Sequence, residues 1–351
     1  MTLGIALGVV GALALVGCQR GGGKKVVALL LPETKTARYE TQDRPLFEKK
    51  LKQLCADCEI IYGNADQDAT KQQSQAEAAL INGARVLVLD AVDGAAAAAI
   101  ADKARAQKVP VISYDRLILN TDAVDCYISF DNERVGKLQG EALLEALGSK
   151  TDPTVVMING APTDNNAKLF KAGAHSVLDG KVKVVKEYDT PDWSPDKAQD
   201  EMTQALTALG GSRPDGVYAA NDGTAGGAIA AMKGAGVKPL PPVTGQDAEQ
   251  AAIQRILTGE QYMTVYKAIK PEAETAAELA ILLLDGKPVP ADRTKGKVVN
   301  NGKRDVPSVL LDPIAVTRAT VKDTVIKDGF WTAEQICTQA YAEACKAAGL
   351  L

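Results

Sequence analysis

The chain has 351 residues, a formal charge of −4 and 46% hydrophobic residues, enough apolar content for one large domain or two medium ones. Acids and bases nearly balance, without the basic stripe or arm that a nucleic-acid binder of this size needs, so no nucleic-acid partner is expected. The single histidine, His175, leaves histidine-based triads and most zinc sites short of residues.

Residues 1–17 are almost wholly apolar and small, a marginal length for a transmembrane helix and a better fit to a signal-peptide core. Leu15-Val16-Gly17-Cys18 resembles a bacterial lipobox, which makes Cys18 the expected lipidated residue and residues 1–23 a leader and tether. No Lys or Arg precedes the apolar core, so the natural start is expected upstream. An uncleaved N-terminal anchor is the alternative, and either reading places the rest outside the cytoplasm.

From Lys25 the sequence alternates short apolar runs with helical patterns. Strands are predicted at 26–31, 59–63, 85–90 and 109–114, with helices near 43–54, 68–82 and 93–107 between them. The alanine run 95–99 reads as helix. A second series follows, with strands at YISF, 154–160, 182–188, 216–221 and 243–246, and helices at 166–179, 195–209 and 224–235. Segments 263–269, 272–285 and 306–314 read as strands and a helix added back to complete the sheets, and 286–305 as an exposed loop. Repeated βαβ argues for parallel sheets covered by helices on both faces, and two similar α/β lobes are the economical architecture.

An extracytoplasmic place permits disulfides. Cys55 and Cys58 lie at the end of a predicted helix, where a short structural bridge fits better than a redox or zinc motif. Cys337 and Cys345 would stand about 12 Å apart on an unbroken helix, too far for a bridge that needs less than about 7 Å, so pairing them requires a broken helix. Cys126 is left over, in a strand.

Ligands in open α/β sheets bind outside the carboxyl ends of the strands. Those ends carry Arg38 and Tyr39, Asp115 and Arg116, Asp164 to Asn166, Trp193, Asn221 and Asp222, Gln246 and Asp247, and Lys267. Donors, acceptors and an aromatic face together suit a polyhydroxyl guest, because each hydroxyl donates once and accepts twice. Taken singly, Asp164, Asp222 and Asp247 read as helix caps.

The pieces YDRLI (114–118), YISFDNERVGKLQ (127–139), DNNAKLFKAG (164–173), NDGTAGGAI (221–229), GQDAE (245–249), MTVYKAI (263–269), DVPSVLLDPI (305–314) and KDTVIKDGF (322–330) resemble, in order, the bacterial xylose-binding members of the type I periplasmic binding protein superfamily. That resemblance covers nearly the whole chain after the leader. It implies two Rossmann-like lobes with parallel sheets joined by a three-strand hinge, residues 24–131 plus 267–303 forming one lobe and 132–266 plus 304–351 the other. It further implies a sugar-binding set of Arg38, Tyr39, Asp115, Arg116, Asn166, Trp193, Asn221, Asp247 and Lys267, with Tyr39 standing where the family uses a tryptophan. The expected function is a monomeric, lipid-anchored binding protein of an ABC importer for a monosaccharide, D-xylose first and glucose or another aldose as the alternative, docking on a membrane permease, with no cofactor, metal or catalytic residue. A sugar-sensing protein feeding a receptor uses the same liganded form and stays open as a reading.

Other classes fit less well. A repressor of the same fold needs a helix-turn-helix before residue 25, where the apolar leader stands. No GxxxxGK[ST] loop occurs, and Gly234-Ala-Gly236 imitates only the start of GxGxxG, with Pro239 in the third glycine's place. Asp115 and Asp247 could be imagined as a glycosidase pair, but basic neighbours would lower their pKa values and leave no general acid.

Overall fold

The computed structural model describes residues 24–210 and 212–351, so the expected lipidation site at Cys18 lies outside the described residues. The first βα series runs β1 (Val26–Leu31), α1 (Arg44–Leu54), β2 (Glu59–Asn64), α2 (Ala69–Ile81), β3 (Val86–Leu89), α3 (Ala98–Ala106), β4 (Val111–Tyr114) and β5 (Cys126–Phe130). The second runs α4 (Asn132–Leu147), β6 (Thr154–Asn159), α5 (Asn165–Leu178), β7 (Lys183–Asp189), α6 (Pro195–Ala208), β8 (Gly216–Ala219), α7 (Asp222–Gly234), α8 (Gln250–Thr258) and β9 (Met263–Tyr266). The chain then forms α9 (Ile269–Leu284), α10 (Ala291–Thr294), β10 (Val298–Asn300), β11 (Asp305–Leu311), β12 (Ile314–Thr317), α11 (Ala333–Ile336) and α12 (Ala342–Ala347).

The first sheet has the order β10-β11-β5-β4-β3-β1-β2, parallel except for the antiparallel β10 edge. Every residue of β1, β3, β4 and β5 is buried, as expected of parallel strands covered on both faces. Separate apolar clusters fill the two sides, one around Leu30, Leu87 and Ile100 and the other around Phe47, Leu51 and Ala277. The second sheet orders β7-β6-β8 in parallel. Single bridges from Val217 to Val243 and from Gln246 to Val265 extend it toward the antiparallel pair β9 and β12.

Chain crossings between the sheets follow β5, β9 and β11, matching the expected three-strand connection. Two of them run side by side, with Asp131 N donating to the Leu311 carbonyl (3.0 Å).

Four expectations are corrected. Residues 305–311 form β11 of the first sheet, paired in parallel with β5, so the crossing comes at Asp312-Pro313 and not at 304. The predicted strand 243–246 makes only single bridges, because the Thr244 hydroxyl takes the next ladder position on β8, accepting from Ala219 N (2.9 Å) and donating to the Ala219 carbonyl (3.1 Å). The loop at 286–305 contains α10 and the edge strand β10. The run 306–314 divides into β11 and the start of β12, which lie in different sheets.

Cys55 is joined to Cys58 at the end of α1, and Cys337 to Cys345 with 5.8 Å between Cα atoms. The second bridge is possible because a 3₁₀ turn at Gln339–Tyr341 interrupts the helix between α11 and α12. Cys126 is buried and has no disulfide partner among the described residues.

Candidate functional site

All nine residues expected to hold a ligand line one hollow between the lobes, together with Thr36, Asp164, Phe170 and Gln246. None of the nine is more than 4% exposed, so the structure is a closed form. Arg38 and Tyr39 lie on the turn after β1, and Asp115 and Arg116 follow β4 directly. Asn166 opens α5, Trp193 follows β7, Asn221 caps α7, and Lys267 follows β9 directly. Several of these side chains are delivered by left-handed backbone: φ is 51° at Asp115, 54° at Trp193 and 96° at Asp247. Such conformations cost about 1–3 kcal/mol each and collect where a scaffold aims side chains at a ligand.

Arg38 is fixed by carboxylates from three elements. Its Nη2 donates to Asp43 Oδ1 (2.6 Å) and to Glu272 Oε2 of α9 (2.7 Å), and its Nε to Asp43 Oδ2 (2.9 Å). Nη1 has no hydrogen-bond partner among the described residues and lies 3.4 Å from Asp115 Oδ1. Burial alone would lower the Arg38 pKa, but Asp115, Asp43 and Glu272 overcome it and raise it. Burial likewise pushes Asp115 up, and Arg38, Lys267 and Arg116 outweigh it to bring the carboxyl down to about 2. Asp115 therefore stays ionised and serves poorly as a general acid.

The cations around the hollow are already matched: Arg38 with Asp115, Arg116 with Asp164 at 3.0 Å, and Lys267 with Asp247 at 3.1 Å. Among the lining residues three cations stand beside three carboxylates, and Asp43, Glu272, Glu33 and Asp90 lie behind Arg38 and Arg116, so the site offers an anionic guest no unmatched positive charge. Arg38 Nη1, Gln246 Oε1 and Asp247 Oδ1 keep unpaired hydrogen-bonding capacity among the described residues. Buried polar atoms of this kind are costly unless something supplies the missing bond.

Aromatic surface comes from both lobes. Two guanidinium groups stand over the Tyr39 ring, Arg38 at 5.3 Å and Arg116 at 5.6 Å from its centre, and its hydroxyl donates to Asp115 Oδ2 (3.1 Å). The Trp193 ring packs edge-on to Phe170 at 6.3 Å and lies directly on Gly160, where any Cβ would overlap it. Across the cleft, Asn166 Nδ2 donates to the Asp115 carbonyl (3.0 Å) and its Oδ1 accepts from Asn132 (2.9 Å).

Residues 27–288 match a family described as periplasmic binding protein domain. The D-xylose-binding periplasmic protein of Escherichia coli (strain K12) is 41% identical over 87% of this chain and 90% of its own length. The chain belongs to the periplasmic binding protein domain family. Among its relatives, the multiple sugar-binding periplasmic receptor ChvE of Rhizobium radiobacter is 32% identical over 94% of this chain and 98% of its own length. A solute-binding protein of an ABC transporter from Clostridium phytofermentans, solved with β-D-glucose, superposes with a TM-score of 0.81 at 32% identity, covering 89% of this chain and all of that one.

Four lining residues fall outside the expected ligand set, and of these Thr36 and Phe170 have no place in the sequence reading of the site at all. Phe170 had a usable signal, since it lies one turn beyond Asn166 on α5 and so on the same helix face. Gln246 and Asp164 are named at the strand ends but stand outside the expected set, and Asp164 does cap α5, through Asn166 N (2.8 Å). Thr36 carries no pattern that distinguishes it from other loop threonines. Asp222, read as a candidate cap, lies outside the hollow; it is fully buried and accepts from Gln261 (2.8 Å), Thr264 (2.9 Å) and Glu249 N (2.9 Å).

A pH dependence follows from that carboxylate and its neighbour. Burial pushes Asp222 up to about 7, and burial together with Asp222 and Asp247 pushes Glu249 up to about 8. The folded protein thus binds more protons than the unfolded chain from about pH 4 up to those values, and stability falls as pH rises through them. The melting temperature should drop between pH 5.5 and pH 8.5, with Glu249→Gln removing part of the decline. A flat profile over that interval would contradict this.

Proposed function

We propose that this chain is the substrate-binding lipoprotein of an ABC-type sugar importer and holds one monosaccharide in the hollow between its lobes. It is a binding protein and not an enzyme. The observation that supports the reading is the composition of that hollow: pre-neutralised charges, unpaired donors and acceptors, and aromatic faces from both lobes around one buried space. Charge-assisted bonds from carboxylates and guanidinium groups fix hydroxyls, and the Trp193 ring covers the apolar C–H face. D-xylose is the proposed ligand on the likeness to the Escherichia coli protein. The glucose-bound Clostridium phytofermentans structure favours D-glucose as the second reading.

Residues 24–131, 267–303 and β11 act as one closing unit and the remainder as the other, Cys18 supplies the lipid anchor, and the protein works as a monomer. Ligand groups split between the units engage together only on closure, and the closed form then docks on the permease.

A thermal-shift and calorimetry panel of xylose, glucose, ribose, arabinose and galactose tests the binding step. Ligand at about 1,000 times its Kd stabilises by about 4 kcal/mol, a clear rise in melting temperature. Asp247→Ala should weaken the preferred sugar by about tenfold or more. If no sugar in the panel raises the melting temperature at millimolar concentration, the reading fails.

A further inference from the structure

Asp164 makes three contacts that join parts of the hollow belonging to different lobes. Its Oδ1 caps α5 by accepting from Asn166 N (2.8 Å). Oδ2 accepts from Trp193 Nε1 (3.1 Å) within the same lobe. The same oxygen stands 3.0 Å from Nε of Arg116, which hangs from the first sheet, as an ion pair whose N–H is not aimed at it. All three side chains are buried, and Asp164 is 3% exposed.

Arg116 has other partners in its own lobe. Glu33 Oε1 and Asp90 Oδ1 each lie 3.7 Å from its guanidinium, and neither oxygen has a hydrogen-bond partner among the described residues. With the lobes apart, those two carboxylates remain within reach of Arg116 and Asp164 does not. In this closed form Arg116 keeps both at ion-pair distance and meets Asp164 more closely from across the cleft. Because the Asp164 oxygen that meets Arg116 also holds the indole N–H, that cross-cleft contact is tied to the attitude of the Trp193 ring.

From this we infer that Asp164 is a positioning residue for closure: it orients Trp193 and draws Arg116 across the cleft, so that ring and guanidinium reach the sugar together. The inference rests on the proposed reading of Trp193 and Arg116 as sugar ligands. A residue serving only as a cap would be replaceable by asparagine, which caps as well as aspartate does.

Asp164→Asn keeps the capping oxygen and removes the charge and one acceptor. Calorimetry with D-xylose and D-glucose should show affinity for the bound sugar falling by about tenfold or more, as expected when a hydrogen bond to a charged group is lost. The melting temperature without sugar should move by less than about 3 °C. Trp193→Phe keeps a ring but removes the indole N–H and should itself weaken binding. In that background Asp164→Asn should cost less than in the parent, because the shared contact is already gone. Small-angle scattering should show a smaller sugar-induced contraction for Asp164→Asn at saturating sugar.

Unchanged affinity in Asp164→Asn, beside a clear loss in Trp193→Ala, would overturn the positioning role and leave the site reading standing. Strictly additive losses in the cycle would overturn it too. Unchanged affinity in Trp193→Ala would bring down the site reading and this inference with it.

Discussion

Replacing Arg38 by methionine is expected to lower the unfolding free energy by about 3–5 kcal/mol and to abolish sugar binding. Methionine roughly conserves the length of the side chain but not the charge, and the surroundings are built around that charge. Asp43, Asp115 and Glu272 are 1%, 2% and 0% exposed, and all three face the Arg38 guanidinium. Without it they are like charges held together out of water, the arrangement in which losing one partner costs most.

Without Arg38 the upward push of burial on Asp115 and Glu272 is opposed less, so these carboxyls should take up protons and their folded pKa values should rise. Stability lost through the substitution should then be smallest at low pH and grow as pH increases through those raised values. Urea unfolding at pH 5 and pH 7.5 measures this, with the larger deficit expected at pH 7.5. Adding Glu272→Gln to Arg38→Met should recover part of it by removing one of the stranded charges. A variant within about 1 kcal/mol of the parent at pH 7.5 would mean that the cluster contributes little, as exposed ion pairs do.

This cluster also marks where sequence reading stops. Arg38 and Asp43 are neighbours, but Glu272 lies 234 residues away on α9, and nothing in the pattern of α9 distinguishes that glutamate from a solvated one. Sites at strand ends are legible because the topology of parallel sheets brings strand ends together wherever they lie in the sequence. The charges that hold those residues from behind come from helix faces, whose pairing depends on packing.

The strands show a similar division. β1, β3 and β4 were readable as uninterrupted apolar runs because both their faces are covered. For the same reason they carry no alternation that says which sheet a late strand joins. β11 could therefore be placed only by its pairing with β5, although Pro313 after Asp312 was a punctuation mark for the crossing. The VTGQ segment misled because its β-branched start does bond to Val217 as a strand would, but the Thr244 side chain then takes the Ala219 N–H and carbonyl in place of backbone, and the ladder is not continued.

The second large effect is expected at Gly136. α4 and α5 pack backbone to backbone: a Cβ on Gly136 would overlap the Phe170 carbonyl oxygen and stand 2.9 Å from Ala174 N, while one on Gly173 would overlap the Glu133 carbonyl oxygen. In an isolated helix Gly→Ala is favourable by about 1 kcal/mol, so the substitution sets propensity against overlap. The obstructing atoms belong to helical backbone, which cannot rotate away as a side-chain tip can, and α5 would have to move as a body. Overpacking of this kind costs about 1–3 kcal/mol or more, and Gly136→Ala should come out destabilised despite the propensity gain. Because α5 carries Asn166 and Phe170 into the hollow, its displacement should also weaken sugar binding by about tenfold or more. Gly234, at the end of α7 with open space around its Cβ position, supplies the comparison: Gly234→Ala should be neutral to slightly stabilising and leave binding unchanged. Matching urea midpoints for the two variants would show that the helices have room to part, and that the glycines are not what sets their spacing.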